Sequence, residues 1–123
     1  LKRVYHRYDF EMNVNYFYQL PDPVLGVHRH YGTDQIRKGT HFVNSSRYSN
    51  PKLDALLDSG AGEPDAAKRT AKYKEIQQIL AEDMPVVNLF ELEFLVVYNT
   101  KLKGVYGSAM GAYGSFREGY LDD

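Results

Sequence analysis

Glu91 and Glu93 alternate with Phe90, Leu92 and Phe94, so in an extended segment both carboxylates share one face. Paired carboxylates can carry general acid–base or glycosidic chemistry. No other catalytic element accompanies them. There is no Gly-x-Ser-x-Gly, no P-loop, and no Gly-x-Gly-x-x-Gly after a strand pattern. The pair is read as a polar hinge face or a solvated strand side, and the chain is expected not to be an enzyme. His28 and His30 would share one face of a strand and could then bind Ni²⁺ or Zn²⁺. Residues 24–31 read as helix instead, where positions i and i+2 diverge. His6 and His41 lie elsewhere in the sequence, so no metal site and no cofactor is expected. The 11 tyrosines suit stacking on sugars or peptides, but most stand at core-like spacing and support that reading only weakly.

Composition narrows the classes further. The chain has 123 residues, 43% hydrophobic and 25% charged, the balance of a globular domain or a piece of one. Its longest apolar stretch, Leu95-Val96-Val97-Tyr98, is far below the ~20 residues needed to cross a bilayer. The net charge is -1, which gives no electrostatic attraction to phosphate backbones, so no nucleic-acid partner is expected. Cysteine is absent, which excludes disulfides and thiol chemistry and fits a cytosolic or an exported protein equally. The chain starts at Leu1 rather than Met, and is read as lacking an N-terminal part.

These side chains must be positioned by a small set of elements. Residues 8–16 alternate apolar and polar, predicting a strand that buries Tyr8, Phe10, Met12, Val14 and Tyr16. Pro21-Asp22-Pro23 stops it, and a short helix follows over residues 24–31. Residues 32–50 read as a long loop, a length that in compact domains usually serves function or covers a partner. Asn50-Pro51 opens a helix carrying Leu53, Leu56 and Leu57, with Gly60 as its stop. A longer helix starts near Glu63-Pro64-Asp65 and runs to Asp83, ended by Pro85. It carries a stripe of Arg69, Tyr73, Ile76, Leu80 and Met84, with Ile79 beside it and an Asp65–Arg69 pair near its start. Residues 86–89 and 94–98 are β-rich and predict two strands or one bent strand. The tail beyond Lys103 interleaves glycine with aromatics and reads as a segment that packs on something else.

Three stretches, in order, resemble a known family. They are Tyr8-Asp9-Phe10-Glu11-Met12 with Pro21-Asp22-Pro23; Arg47-Tyr48-Ser49-Asn50-Pro51-Lys52-Leu53-Asp54-Ala55-Leu56-Leu57; and Asp65 through Arg69, Tyr73 and Ile76 to Asp83-Met84-Pro85-Val86-Val87, completed by Asn99-Thr100-Lys101-Leu102-Lys103-Gly104. Together they resemble the C-terminal part of the family 5 solute-binding proteins of bacterial ABC importers, which include dipeptide, oligopeptide and nickel receptors.

The resemblance implies an α/β chain, a fragment of the type II periplasmic-binding fold. Residues 1–92 would belong to the second lobe, and residues 93–123 would recross the hinge to the first. It implies a small solute and ABC permease subunits as partners, and a periplasmic or otherwise extracytoplasmic location, free or as a membrane-anchored lipoprotein. The implied ligand-binding residues are Tyr16, Phe17, Tyr18 and Gln19. Peptide-binding members carry an acid there to pair with the ligand's ammonium. Aligned on Pro23, that place falls on Gln19, which can hydrogen-bond but offers no countercharge. This departure disfavours free-amine peptides and leaves sugars, opines, blocked peptides or other solutes. Asp22-Pro23 is expected to shape the turn rather than touch a solute. The alternative is a free-standing small α/β interaction module that dimerises through its Gly/Tyr-rich tail; an enzyme domain using Glu91 and Glu93 ranks third.

Overall fold

The computed structural model describes residues 1–17, 20–91, 95–105, 114 and 116–122. By its internal contacts the chain divides into two units, Leu1–Val87 and Asn88–Asp123.

Capping chemistry sets the three helices of the first unit. Helix α1 spans Pro23–Tyr31; Asp22 caps it by accepting from the Val24 amide at 2.9 Å. Pro23 takes the first helical position, where its missing N–H leaves no bond unmade. Helix α2 spans Pro51–Ala61, and the Asn50 side chain accepts from the Lys52 and Leu53 amides at 3.0 and 3.2 Å. Helix α3 spans Ala66–Asp83, capped by Asp65 through the Lys68 amide at 2.9 Å. All three follow the sequence expectation. Gly60 does not: it lies inside α2, and the helix ends one residue later with Gly62 at its C-cap. A Cβ on Gly60 would sit 3.3 Å from the Tyr73 ring, so the glycine serves close helix–helix packing.

Leu53 and Leu57 of α2 pack against Ile76 and Ile79 of α3, and these four form the buried core. Val27 and Tyr31 of α1, with Tyr48, Leu56, Tyr73 and Leu80, close around it. Each fully buried aliphatic side chain contributes roughly 1.5–3 kcal/mol by leaving water. The predicted stripe on α3 holds at Tyr73, Ile76 and Leu80. It fails at Met84, which turns out of the helix at φ 46° and is 60% exposed.

The loop after α1 is held internally. A short 3-10 turn covers Thr33–Gln35, and the Thr33 amide donates to Asp54 of α2 at 2.9 Å. Buried Asn44 donates to the Gly32 and Tyr48 carbonyls at 3.0 and 2.8 Å, which stitches both ends of the loop together. Tyr48 and Asn50 then both donate to the Asp83 carboxylate at the end of α3. Burial and the Asp83 contact push the Tyr48 hydroxyl up to about 12.

The N-terminal segment corrects the sequence reading. A single π-helical turn spans Lys2–Arg7, and residues 8–16 form no strand. Met12, Val14 and Tyr16, expected on a buried face, are exposed. Strand backbone is stabilised by a ladder partner, and among the described residues none pairs with this segment.

In the second unit the described sheet is two-stranded and antiparallel, β1 (Leu102–Lys103) with β2 (Tyr120–Leu121), Leu102 opposite Leu121. Gly104 follows β1 at φ +68°, and a Cβ there would lie 2.1 Å from the Glu118 carbonyl oxygen, so only glycine fits. The predicted strands over residues 86–89 and 94–98 are absent among the described residues. Leu95 and Val97 are more than nine-tenths exposed, and without a paired neighbour their β propensity is not expressed.

Leu53→Ala should destabilise the chain by about 2–5 kcal/mol, read as a lower urea midpoint with an unchanged slope. A loss below about 1 kcal/mol would show that the α2–α3 contact is not the core.

Candidate functional site

The segment leading into α1 is anchored from three sides. Asp22, besides capping α1, accepts from Arg69 Nη2 of α3 at 2.8 Å. The Val24 amide first, and Arg69 second, hold its carboxyl below the usual carboxylate range. Arg69 also donates from Nε to the Gly60 carbonyl at 3.2 Å and lies over the Tyr73 ring at 5.3 Å. This replaces the Asp65–Arg69 pair expected from sequence. The Asp65 carboxylate is taken by the helix cap, and the guanidinium reaches Asp22, distant in sequence, instead. Asp22-Pro23 thus shapes the turn.

The two histidines of α1 diverge. His28 Nε2 lies 3.1 Å from the Tyr73 hydroxyl, and burial lowers its pKa. His30 is buried, 3% exposed, and its ring centroid stands 4.0 Å from that of Phe17. Burial, with a smaller contribution from the Arg29 charge, lowers the His30 pKa to about 4, so the ring is neutral at pH 7.

Of the four expected ligand-binding residues, Tyr16 and Phe17 are described and differ in setting. Phe17 is half-buried against His30; Tyr16 is 56% exposed, and its amide donates to the Asn15 side chain at 2.9 Å. Asn15 in turn donates to the buried Tyr5 hydroxyl at 2.9 Å, tethering the segment from the N-terminal side. Tyr18 and Gln19 lie outside the described residues, as does Glu93; Glu91 is described and solvent-exposed.

Two open grooves lie on this unit. One, of about 370 Å³, runs past Pro23, Arg69, Tyr73 and Gln77, and the other, of about 730 Å³, past Arg3, Tyr8, Phe10 and Met12. Neither is lined by Tyr16 or Phe17. No cluster of three or more metal-ligating side chains occurs among the described residues.

Sequence reading missed the Asp22–Arg69 tie, the Phe17–His30 stack, and a meeting of His6 and His41, whose Nε2 atoms stand 3.2 Å apart. Each joins positions remote in sequence, and periodicity carries no signal for such pairs.

No protein-family model matches the chain, and no solved structure matches it. Curated proteins do. The chain is 29% identical over 97 residues to the probable D,D-dipeptide-binding periplasmic protein DdpA of Escherichia coli, covering 78% of this chain and 18% of that protein. It is 34% identical over 67 residues to protein XP55 of Streptomyces lividans, covering 54% and 12%. It is 30% identical over 69 residues to the probable ABC transporter periplasmic-binding protein SapA of E. coli, covering 56% and 13%. The chain thus spans less than a fifth of the length of these curated relatives. It is similar to segments of periplasmic binding proteins, and the functions named among its relatives are binding and transport rather than catalysis.

The buried histidine makes stability depend on pH. The unfolded chain binds a proton at residue 30 near pH 6.5 and the folded chain only near 4, so stability falls as pH drops through that window. The loss from His30 should approach about 3 kcal/mol, with His28 adding in the same direction. Below it, the depressed carboxyls of Asp22, Glu63 and Asp83 add further loss as they protonate. Denaturant melts at pH 7.5 and 4.5 should show a smaller difference for His30→Gln than for the unaltered chain; equal differences would contradict the assignment.

Proposed function

We propose that this chain is the C-terminal part of a family 5 solute-binding protein serving an ABC importer. In that reading it is an α/β fragment of the type II periplasmic-binding fold. Residues 1–92 belong to the second lobe, and residues 93–123 cross the hinge and return to the first. The observation that carries the reading is the similarity to DdpA, which runs collinearly over 97 residues. The uncovered apolar side chains of residues 8–16 support it, because an alternating segment of this kind pairs as a strand when a neighbour is supplied.

The receptor closes its two lobes around a small solute by hinge motion, and the closed form docks on the permease. It works outside the cytoplasm, free or lipid-anchored. No helix among the described residues is long and apolar enough to cross a membrane. Tyr16, Phe17, Tyr18 and Gln19 contact the solute. His30 holds the Phe17 ring by a tilted ring contact, and the Asp22–Arg69 tie fixes the far end of the segment. The names of two relatives point to peptide-class solutes or ABC transport. The neutral Gln19 narrows the choice to ligands needing no countercharge there, such as blocked peptides, opines or sugars.

Calorimetry on the complete protein, titrated with D,D-dipeptides, N-blocked dipeptides, opines and sugars, tests this. One class should bind, and Gln19→Ala should weaken it by roughly 1 kcal/mol or more, about fivefold. Unchanged affinity in Gln19→Ala would remove residue 19 from the site. No binding by any class would contradict the receptor reading.

A further inference from the structure

We propose that His6 and His41 form a two-imidazole site for a divalent late transition-metal ion, Zn²⁺ in the first place. The two Nε2 atoms stand 3.2 Å apart across 35 positions of sequence, with both rings at the surface. Two imidazole nitrogens bound to one ion at about 2.0–2.1 Å are separated by roughly 2.9 Å at a right angle and 3.4 Å at a tetrahedral one. The observed gap lies between these and nearer the tetrahedral value. An ion can therefore be shared by the two nitrogens once the rings turn their lone pairs toward it, leaving its remaining positions to water.

The pair is held in place by its surroundings. Tyr5, next to His6 in the π-helical turn, is 1% exposed, and its ring packs edge-on to His41 at 5.5 Å. The Tyr5 carbonyl accepts from the Gly39 amide at 2.8 Å, which draws the loop carrying His41 against the turn carrying His6. Gly39 makes that approach at φ +92°, a conformation that favours glycine. The Tyr5 hydroxyl accepts from Asn15 at 2.9 Å, which fixes the ring against which His41 packs. Ligands already held in a near-productive geometry lose little freedom on binding.

Both rings must present a lone pair from Nε2. Between two neutral rings, the metal-free contact is a hydrogen bond in which one Nε2 carries the hydrogen and the other accepts it. On binding, that hydrogen moves to Nδ1 of its own ring, and both Nε2 atoms donate to the ion. His28, engaged with Tyr73, and His30, buried against Phe17, take no part.

The test is Zn²⁺ titration of the complete, untagged protein, read by competition with a colorimetric chelator, and Co²⁺ titration read by visible absorption. One equivalent of Zn²⁺ should bind, and His6→Gln and His41→Gln should each weaken it at least tenfold. The double variant should be no weaker than either single one, because chelation needs both rings. His28→Gln should bind as the unaltered chain does. Circular dichroism of each variant separates loss of fold from loss of ligand, and His6→Asn and His41→Asn provide second substitutions at these exposed positions. Equal binding in His6→Gln and the unaltered chain, or no Zn²⁺ binding at millimolar ion, would overturn the proposal.

Discussion

Leu53 of α2 and Ile76 of α3 are the two aliphatic side chains of the first unit wholly removed from water, and they share one buried cluster with Leu57 and Ile79. The remaining order of that unit follows from this contact. With α2 and α3 fixed, Gly60 presents a surface on which the Tyr73 ring lies, and the adjoining Arg69 is aimed at Asp22. Asp22 is the cap of α1, so α1 takes its position from α3. The segment entering α1 is the one carrying the candidate ligand residues. Helix packing and site positioning are therefore one problem, solved by one small apolar interface and a ring of polar ties.

Those ties work by satisfying groups that would otherwise be stranded. Asn44, almost fully buried, spends its amide on loop carbonyls, and Asn50 both caps α2 and donates to Asp83. Lys72, with Glu63 at 2.9 Å, also takes the Ser59 carbonyl at 2.9 Å and closes the α2–α3 turn. Ion pairs still reached by water add little stability of their own. Their value here is geometric: they choose one arrangement among those the apolar contact would permit.

Much of the helical part was legible in the sequence because capping and helical periodicity are local. Asn50-Pro51 announces a helix start by its own chemistry, while the capping roles of Asp22 and Asp65 emerge only in the structure. The strands were not legible, because a strand is defined by its neighbour. Residues 8–16 have the alternation of a strand, yet the alternation cannot supply a partner. Met84 and Gly60 were misread for a related reason, since a periodic stripe does not say where the packing surface ends. The candidate site was legible only through family resemblance. Its supports, the Phe17–His30 stack and the Asp22–Arg69 tie, join residues whose separation carries no pattern.

The proposal that the chain works as part of a larger two-lobed receptor can be tested on the protein itself. The most direct measurement is native mass spectrometry of the protein purified from its own cells. The expected species is several times heavier than 14.1 kDa and carries a small-molecule adduct, whose mass identifies the solute class. A mature species near 14.1 kDa with no adduct would contradict it.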